Sequence, residues 1–578
     1  MKRRELLTKI ALLSGGLIVS SKSQSTEQKI FHNNNIITCN NINELRQLGA
    51  QHNNQIIYLV SYYGNNKPIT GGGYFYYDDK DEATPDNGGS CFVTKTGARF
   101  KRIIKGTISL SEFGADGSIE NDDNAKNNAL LFCEENKINL IIEPGRYNFK
   151  TPLEWNPQKY SIIGNGEAIF NFSNCKENEY AIIVKGDDNS SGEVWNALIH
   201  KMSNLVIEGK KGINGIIINQ EKNKSTPGVS FEHIAVNNFD NSVLFGDNEW
   251  CISFTKCIFR GRNNEKTTFI TVNKKYNACE NQSFTECIFN GCNNAIAIRH
   301  IHGSCEINFN KCSFDYCSKV LTINNPEAKG IWRYNQCHFE DNGEQEQFTV
   351  NSERASFYID IIGCDWYFTN NIPLTIGTFK SKNKSSRLTI RDIKIPIYST
   401  SADRKKSNLI NVIDKNINCT FDGISLESSE NDYFNVFSLS QNLIIATESN
   451  RDNLVKEIPE WSFSDHSIFL NPTEKEHYEA KIRQNKKFSI SGNVFLTEKT
   501  EKSFVEISYI DSKGKEIQKD IITLPNKHNT WIRFGKNLTS PLGTNLILIS
   551  GLRQDFKNKN SQPLEWPYCW NMLFTARP

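Results

Sequence analysis

The sequence predicts an all-β protein whose centre is a parallel β-helix, and a recurring phrase carries that prediction. The phrase occurs as "SFTKCIFRG", "SFTECIFNG", "NFNKCSFDY" and "RYNQCHFED", at intervals of about 25 residues. Each copy alternates apolar and polar residues, as a strand does, and lacks helical periodicity. One such repeat buries little alone, so stacked copies are needed to build a continuous core.

The cysteines of the repeat indicate which side chains face inward. Stacking at about 4.8 Å, the spacing between paired strands, places cysteine above cysteine and phenylalanine above phenylalanine. We therefore expect one column of buried, unpaired thiols that behave as small apolar side chains. The column has intervals of 30, 25, 25 and 27 residues and consists of Cys257, Cys287, Cys312, Cys337 and Cys364.

The stretch "SEFGADGSIENDDNAKNNALLF", residues 111–132, predicts where this β-helix begins. Gly114 and Gly117 permit a tight turn with positive φ. Asp122 and Asp123 offer oxygens to the free N–H groups of a helix start, so a helix should follow and end near Asn136. The strands of "LIIEPGRYNF" come next.

The order FGA, a DD pair before an Ala-bearing helix, and then PGRY resembles the N-terminal segment of the pectate-lyase superfamily. That superfamily comprises right-handed parallel β-helix proteins and includes phage tailspike depolymerases. Here Gly117-Ser118-Ile119 replaces the usual GDG, and Asp122-Asp123-Asn124 replaces DDT. The resemblance implies a right-handed fold at residues 108–450 and a polysaccharide substrate. It implies no reaction, because these residues build the cap.

Residues 27–107 read as a small adaptor domain. "NNINELRQLGA" predicts a short helix, "IIYLVSYY" and "GGGYFYYDD" predict strands, and "NGGSCFVTKTGARFKRI" predicts a hairpin with Asn87-Gly88 as its turn. This order resembles the neck module that precedes the β-helix in tailspike-like depolymerases.

The two ends of the chain carry further predictions. Residues 1–26 have a basic start with Arg3-Arg4 and an apolar stretch, which predicts an export signal, twin-arginine or otherwise, or an uncleaved anchor. Residues 451–578 have short alternating strands and resemble carbohydrate-binding β-sandwich modules. There Trp566 and Trp570 could stack on sugars, and the domain could equally drive assembly of a homotrimer.

Composition and motifs exclude several classes. The net charge is +2 and lysine and arginine are dispersed, so nucleic acid is not an expected partner. No apolar run beyond the signal reaches the length of a spanning helix, so stable membrane insertion is not expected. No metal, nucleotide or nucleophile-elbow motif is present in the sequence, so we expect neither a cofactor nor a required metal.

The two-residue alternation of strands predicts an outward polar column with catalytic candidates. It contains Arg260, Asn290, Asp315 and Glu340, with His338 beside Glu340. Asp315 and Glu340 would lie one coil apart, with their carboxyl groups about 5–6 Å from each other. This is the separation at which retaining glycosidases hold their two carboxyl groups. The alternative is that these two acids have no catalytic role, because the outward positions of a soluble β-helix are polar and often include neighbouring acids.

A second candidate cluster combines charged groups with an aromatic ring. It consists of Arg299, His300, Asp247, Glu249 and Trp250. Such groups suit a lyase or hydrolase acting on a charged sugar. Polar turn residues without a role are the alternative.

The sequence therefore predicts an exported depolymerase of an extracellular or capsular, acidic polysaccharide, acting by hydrolysis or β-elimination. The alternative is a non-catalytic glycan-binding or adhesin-like protein on the same scaffold. Its location would be periplasmic, secreted or at the cell surface.

Overall fold

The computed structural model describes residues 36–397 with short gaps, and beyond residue 397 chiefly the strands named below. The predicted export signal lies outside the described residues. The gaps before residue 397 are 52–53, 65–69, 118–120, 189–191, 220, 222, 263–265, 274–278, 341, 343–345 and 368–375.

The N-terminal module is a five-stranded sheet with one short helix, Ile42–Gln47. The helix predicted from "NNINELRQLGA" is confirmed, and the Asn41 side chain caps it by accepting from Glu44 N at 3.1 Å. The predicted hairpin turn is wrong. The turn lies at residues 94–97, where Thr94 N donates to Ala98 O, because Gly97 supplies the positive φ. The strands are Ile37–Cys39, Ile56–Leu59, Gly73–Tyr77, Cys91–Val93 and Arg99–Arg102.

The predicted helix at the start of the β-helix is present as Asp123–Asn136, and it follows a 3-10 turn at Ser111–Phe113. The aspartates do not cap it as predicted. Asn121 accepts from Asp123 N at 2.9 Å, whereas Asp122 accepts from Asn148 N at 3.0 Å and so ties the helix start to the next strand. Gly117 is required here, since a Cβ would overlap the Arg146 carbonyl oxygen.

The central domain is a parallel β-solenoid with three faces, which confirms the predicted fold class. Each coil contributes one strand to face A, then one to face B and one to face C. Face A consists of Thr107–Ser109, Asn139–Ile142, Ile162–Gly164, Lys201–Ser203, Ser230–Glu232, Ser253–Thr255, Gln282–Thr285, Ser304–Asn310, Lys329–Asn335, Phe357–Ile362, Arg387–Arg391 and Asn418–Asp422.

Faces B and C form one continuous sheet, because two long strands, Ile288–His302 and Ser313–Ile323, run through both. The other strands of face B are Gly145–Asn148, Ala168–Asn171, Val206–Glu208, Ala235–Asn237, Ile258–Arg260, His338–Glu340, Asp365–Tyr367, Lys394–Ile397 and Ser425–Ser428. The other strands of face C are Leu153–Trp155, Tyr180–Val184, Asn214–Ile218, Asn241–Phe245, Thr267–Asn273, Phe348–Asn351, Gly377–Lys380, Asn408–Val412 and Asn435–Leu439.

The interior contains the predicted ladders. The five repeat cysteines are buried and free, and each Sγ contacts a face-A carbonyl of the coil before it, as in Cys312 Sγ to Phe284 O at 3.3 Å. The phenylalanine rings of face B stack at 4.5–5.3 Å in a column that ends at Trp366. A second aromatic column on face A has spacings of 4.6–5.2 Å. Each coil therefore buries apolar rings against the next coil.

Faces A and B are joined in eight coils by the same two-residue turn. Its first residue has a φ of 52–65°, and its second is buried. This is left-handed backbone, which non-glycine residues adopt at a cost. The first residues are Asn204, His233, Lys256, Glu286, Lys311, Gln336, Gly363 and Asp392.

Two further groups of strands stand outside the solenoid sheets. A small lateral sheet consists of Asp187–Asp188, Lys224–Pro227 and Glu249–Trp250, beside a 3-10 helix at Gly192–Ile199. The C-terminal region forms two four-stranded antiparallel sheets. Their strands are Ser467–Ile468, Tyr478–Lys481, Lys487–Leu496, Ser503–Ile510, Glu516–Leu524, Thr530–Thr539, Leu546–Gln554 and Cys569–Ala576.

Candidate functional site

The predicted polar column lies on the outer surface of face B in the expected register. Arg260 pairs with Asn290, Asn290 with Asp315, and Asp315 with Glu340 on successive coils. Their inward neighbours in sequence are the phenylalanines of the ladder, so strand alternation fixes the direction in which these side chains point. The next residue in the column is Tyr367, which is exposed.

A histidine lies between two carboxylates beside this column. His338 Nδ1 contacts Asp365 Oδ2 at 2.6 Å, and His338 Nε2 contacts Glu340 Oε2 at 3.4 Å. The side chain of His338 is 36% exposed, so the group can reach a ligand in solvent. The imidazole thus connects residues on two adjacent coils and fixes the Glu340 carboxylate.

Two hydroxyl groups complete the site. Ser313 Oγ donates to Asp315 Oδ1 at 2.5 Å, and Tyr316 Oη donates to Glu340 Oε1 at 3.3 Å. Sequence reasoning did not single out Ser313 or Tyr316. Ser313 could have been found, because it stands two residues before Asp315 and shares its outward face.

The two carboxyl groups differ in their surroundings. Burial raises the pKa of Asp315; the charge of Glu340 adds to the increase, and the Ser313 hydrogen bond and His338 oppose it. For His338, burial acts to lower the pKa, but contacts with Asp365 and Glu340 outweigh it and raise the pKa. The pKa values of Asp315 and His338 are therefore both shifted upward from their ordinary values.

The same side chains could contact a cation. One ligand atom from each of Asp315, His338 and Glu340 lies within 4.8 Å of the other two. Among the described residues, this is the one group of three or more such side chains that could hold a metal ion. Carboxylate oxygens and an imidazole nitrogen are ordinary ligands of divalent metals.

The second predicted cluster does not form an outward site. His300 is 1% exposed, packs on Trp332 at 5.3 Å and bonds Gly303 O through Nε2, so its predicted outward position is wrong. Asp247 and Glu249 are buried, at 7% and 1% exposure.

The remaining members of that cluster keep partial access to solvent. Arg299 is half-buried on face C, and Trp250 lies 6.2 Å from the exposed Trp195 in the lateral sheet region. The predicted sugar-stacking residue Trp566 lies outside the described residues. Trp570 belongs to the strand Cys569–Ala576, of whose side chains nothing is described.

The fold defines the class of this protein: a parallel β-helix similar to that of phage tailspike proteins. Residues 38–105 match the phage tail protein small four-stranded β-sheet domain. No helix in the described part of the chain is long and apolar enough to cross a membrane.

Two solved tailspike structures are similar to this chain. The enzymatically active domain of tailspike protein 4 of bacteriophage CBA120 superposes with a TM-score of 0.55 at 15% identity, covering 95% of this chain and 78% of that one. Full-length tailspike protein 2 from an Escherichia coli O157:H7 bacteriophage has a TM-score of 0.48 at 11% identity, with 93% and 80% coverage.

A sequence relative is the defective tail fibre protein of the Mu-like prophage FluMu in Haemophilus influenzae. It is 26% identical over 233 residues, or 39% of this chain and 35% of that protein. The match therefore spans about a third of that relative's length.

Proposed function

We propose that this chain cleaves an extracellular or capsular polysaccharide and that Asp315 and Glu340 carry the reaction. The proposal rests on the geometry of these two side chains. They face outward on consecutive coils, and a carboxylate oxygen of Asp315 lies within 4.8 Å of a carboxylate oxygen of Glu340. Retaining glycosidases hold their carboxyl groups about 5–5.5 Å apart, whereas inverting enzymes need about 6.5–9.5 Å. Hydrolysis with retention is the reaction that this spacing supports best.

The surroundings assign different roles to the two carboxyl groups. Asp315 is the general acid in this proposal, since burial shifts its pKa upward, in the direction that a proton donor requires. Glu340 is the nucleophile, since contacts with His338 and Tyr316 hold its two oxygens in position. Asp365 orients His338 through its other ring nitrogen.

The outer surface of face B suits a polymer. Tyr367 is exposed next to Glu340 and offers a ring on which a sugar can stack. Arg260 lies two coils below Asp315 in the same column and can pair with an acidic sugar. The column runs along the stack, so a chain of sugars can follow it. The solved structure with a similar fold is the enzymatically active domain of a tailspike protein, which is consistent with an enzyme on this scaffold.

Two alternatives remain on the same scaffold. In β-elimination, His338 would remove a proton and Arg260 would stabilise the uronate. A glycan-binding protein would use the column and the C-terminal sheets without chemistry. Export belongs to the same proposal, because a polysaccharide of this kind lies outside the cell. Assembly into trimers is a separate part of the proposal.

The test is a panel of acidic capsular and extracellular polysaccharides, with reducing ends and unsaturated products measured in parallel. We expect new reducing ends, and a loss of at least about 100-fold in Asp315→Asn and Glu340→Gln, the usual scale of acid–base catalysis. Glu286→Gln removes an exposed carboxylate from a nearby turn and serves as the control.

The outcomes separate the three possibilities. Unsaturated products would indicate β-elimination, and binding without fragments would indicate the glycan-binding protein. Full activity in both variants would overturn the assignment of the pair.

A further inference from the structure

A pocket on face A contains a thiol that the proposed reaction does not use. Its volume is about 230 Å³, and Cys279, Cys305, Lys329 and Tyr358 are among the residues that line it. Cys305 lies at its wall and is 5% exposed. Gly330 keeps the thiol accessible, because a Cβ there would stand 2.9 Å from Cys305 Sγ.

An oriented base contacts this thiol. His300 Nδ1 lies 3.8 Å from Cys305 Sγ, and His300 Nε2 lies 3.1 Å from the carbonyl oxygen of Gly303. A carbonyl accepts only from N–H, so the Nε2 proton is fixed and Nδ1 faces the sulfur. Packing on Trp332 holds the ring in this position. Thiol, base and orienting carbonyl form the arrangement of an activated nucleophile.

A second cysteine stands beside the first. Glu306 N donates to Cys279 O at 2.6 Å, so the two cysteines lie on neighbouring coils, and both line the same pocket. Burial acts to raise the pKa of Cys305, but the neighbouring Cys279 thiol and the charge of His300 outweigh it and lower the pKa to about 6, against a smaller opposing effect of Glu306. Burial raises the pKa of Cys279 well above its usual value, so Cys279 keeps its proton.

We propose that Cys305 is a redox-reactive nucleophile, activated by His300, that reacts with a small disulfide entering the pocket and is then resolved by Cys279. The Cys305 thiolate attacks one sulfur of RSSR. The reagent's S–S bond breaks, and the released RS⁻ takes the proton from His300. Cys279 transfers its proton to His300 and attacks the Cys305 sulfur, which releases a second RSH. Two protein thiols are thereby oxidised to one disulfide, and one RSSR is reduced to two RSH.

The test uses the full chain with bis(2-hydroxyethyl) disulfide, a neutral reagent, and an unstructured single-cysteine peptide in the same tube. Peptide mapping by mass spectrometry follows both rates between about pH 8.5 and about pH 5.5. Over this range the thiolate fraction falls about 4-fold for a pKa of about 6 and about 500-fold for an ordinary thiol. We therefore expect the rate of Cys305 relative to the peptide to rise about 100-fold.

Variants identify the partners. His300→Phe keeps an aromatic ring against Trp332 but removes the base, and should leave a rise below about 10-fold. Cys279→Ser should stop at the mixed disulfide on Cys305, whereas the wild type should proceed to a Cys279–Cys305 link. Thermal melting checks that each variant folds, and where His300→Phe does not, the wild-type pH profile decides alone.

Three results would overturn the proposal. The first is a ratio that does not change with pH. The second is modification of Cys312, enclosed in the cysteine column, as fast as Cys305. The third, a wild-type protein that stops at the mixed disulfide, would remove the role of Cys279.

Discussion

Replacing Lys126 with methionine should be among the most destabilising single changes in the β-helix cap. The Lys126 ammonium is 1% exposed and contacts Asp123 Oδ1 at 2.8 Å, Thr151 O at 2.7 Å, Thr151 Oγ1 at 2.9 Å and Pro152 O at 2.9 Å. It also lies 4.9 Å from the centre of the Phe149 ring. Methionine fills similar space but leaves a buried carboxylate and two carbonyls without this donor.

The expected loss of unfolding free energy follows from these contacts of Lys126. Removing one partner of a buried ion pair costs about 3–5 kcal/mol, because the remaining charge is uncompensated. The Thr151 hydroxyl still reaches Asp123 at 2.9 Å, which places the expected loss toward the lower half of that range. The double variant Asp123→Asn/Lys126→Met removes both charges and should recover a part of it.

Equilibrium urea unfolding, followed by tryptophan fluorescence, measures these differences where unfolding and refolding curves coincide. Lys201→Met is the control, since Lys201 pairs with Glu232 at the surface and such pairs contribute about 0–1 kcal/mol. The reasoning is refuted if Lys126→Met lies within about 1 kcal/mol of the wild type, or if the double variant is less stable than the single one.

Further predictions concern the core, the thiols and the site. Phe289→Ala should destabilise by about 3–5 kcal/mol in the same assay, since the ring stacks on both sides at 4.9 and 4.8 Å; a smaller loss would mean that the ladder repacks. Alkylation under denaturing conditions should find the five ladder cysteines free, and a disulfide among them would contradict the structure. Because the folded pKa of His338 is raised, its contacts stabilise most below about pH 6.5 and are lost as pH rises through the folded pKa. The melting temperatures of the wild type and His338→Gln should therefore converge at pH values above the folded pKa of His338. A difference in melting temperature that does not change with pH would instead assign the loss of stability to packing. Chelation with EDTA should leave polysaccharide cleavage unchanged, and loss restored by a divalent cation would assign Asp315 and its neighbours to metal binding.

The register of face B could be predicted from the sequence because the repeat itself encodes it. Once Cys312 and Cys337 occupy equivalent positions, strand alternation places Asp315 directly below Glu340 without further information. The contacts of Ser313 and Tyr316 depend on rotamers, which a repeat does not specify.

The position of His300 could not be obtained in this way. Ala297 and Ile298 are both buried although they are consecutive, and the pairing register shifts within this long strand. The inward-facing parity changes between these two residues, so alternation counted from Phe289 places His300 outward, whereas His300 is buried. Asp247 and Glu249 lie at a turn and a lateral strand, where periodicity says nothing about burial.

The eightfold repetition of the two-residue turn between faces A and B bears on how this protein can change over evolutionary time. That corner has one length, whereas the coil from Cys257 to Cys287 is five residues longer than the next, so its extra residues lie at other corners. Insertions at those corners alter the rim of the surface and leave the strands of face B aligned. Coil length can therefore change at those corners while the strand register that sets the spacing of Asp315 and Glu340 is retained.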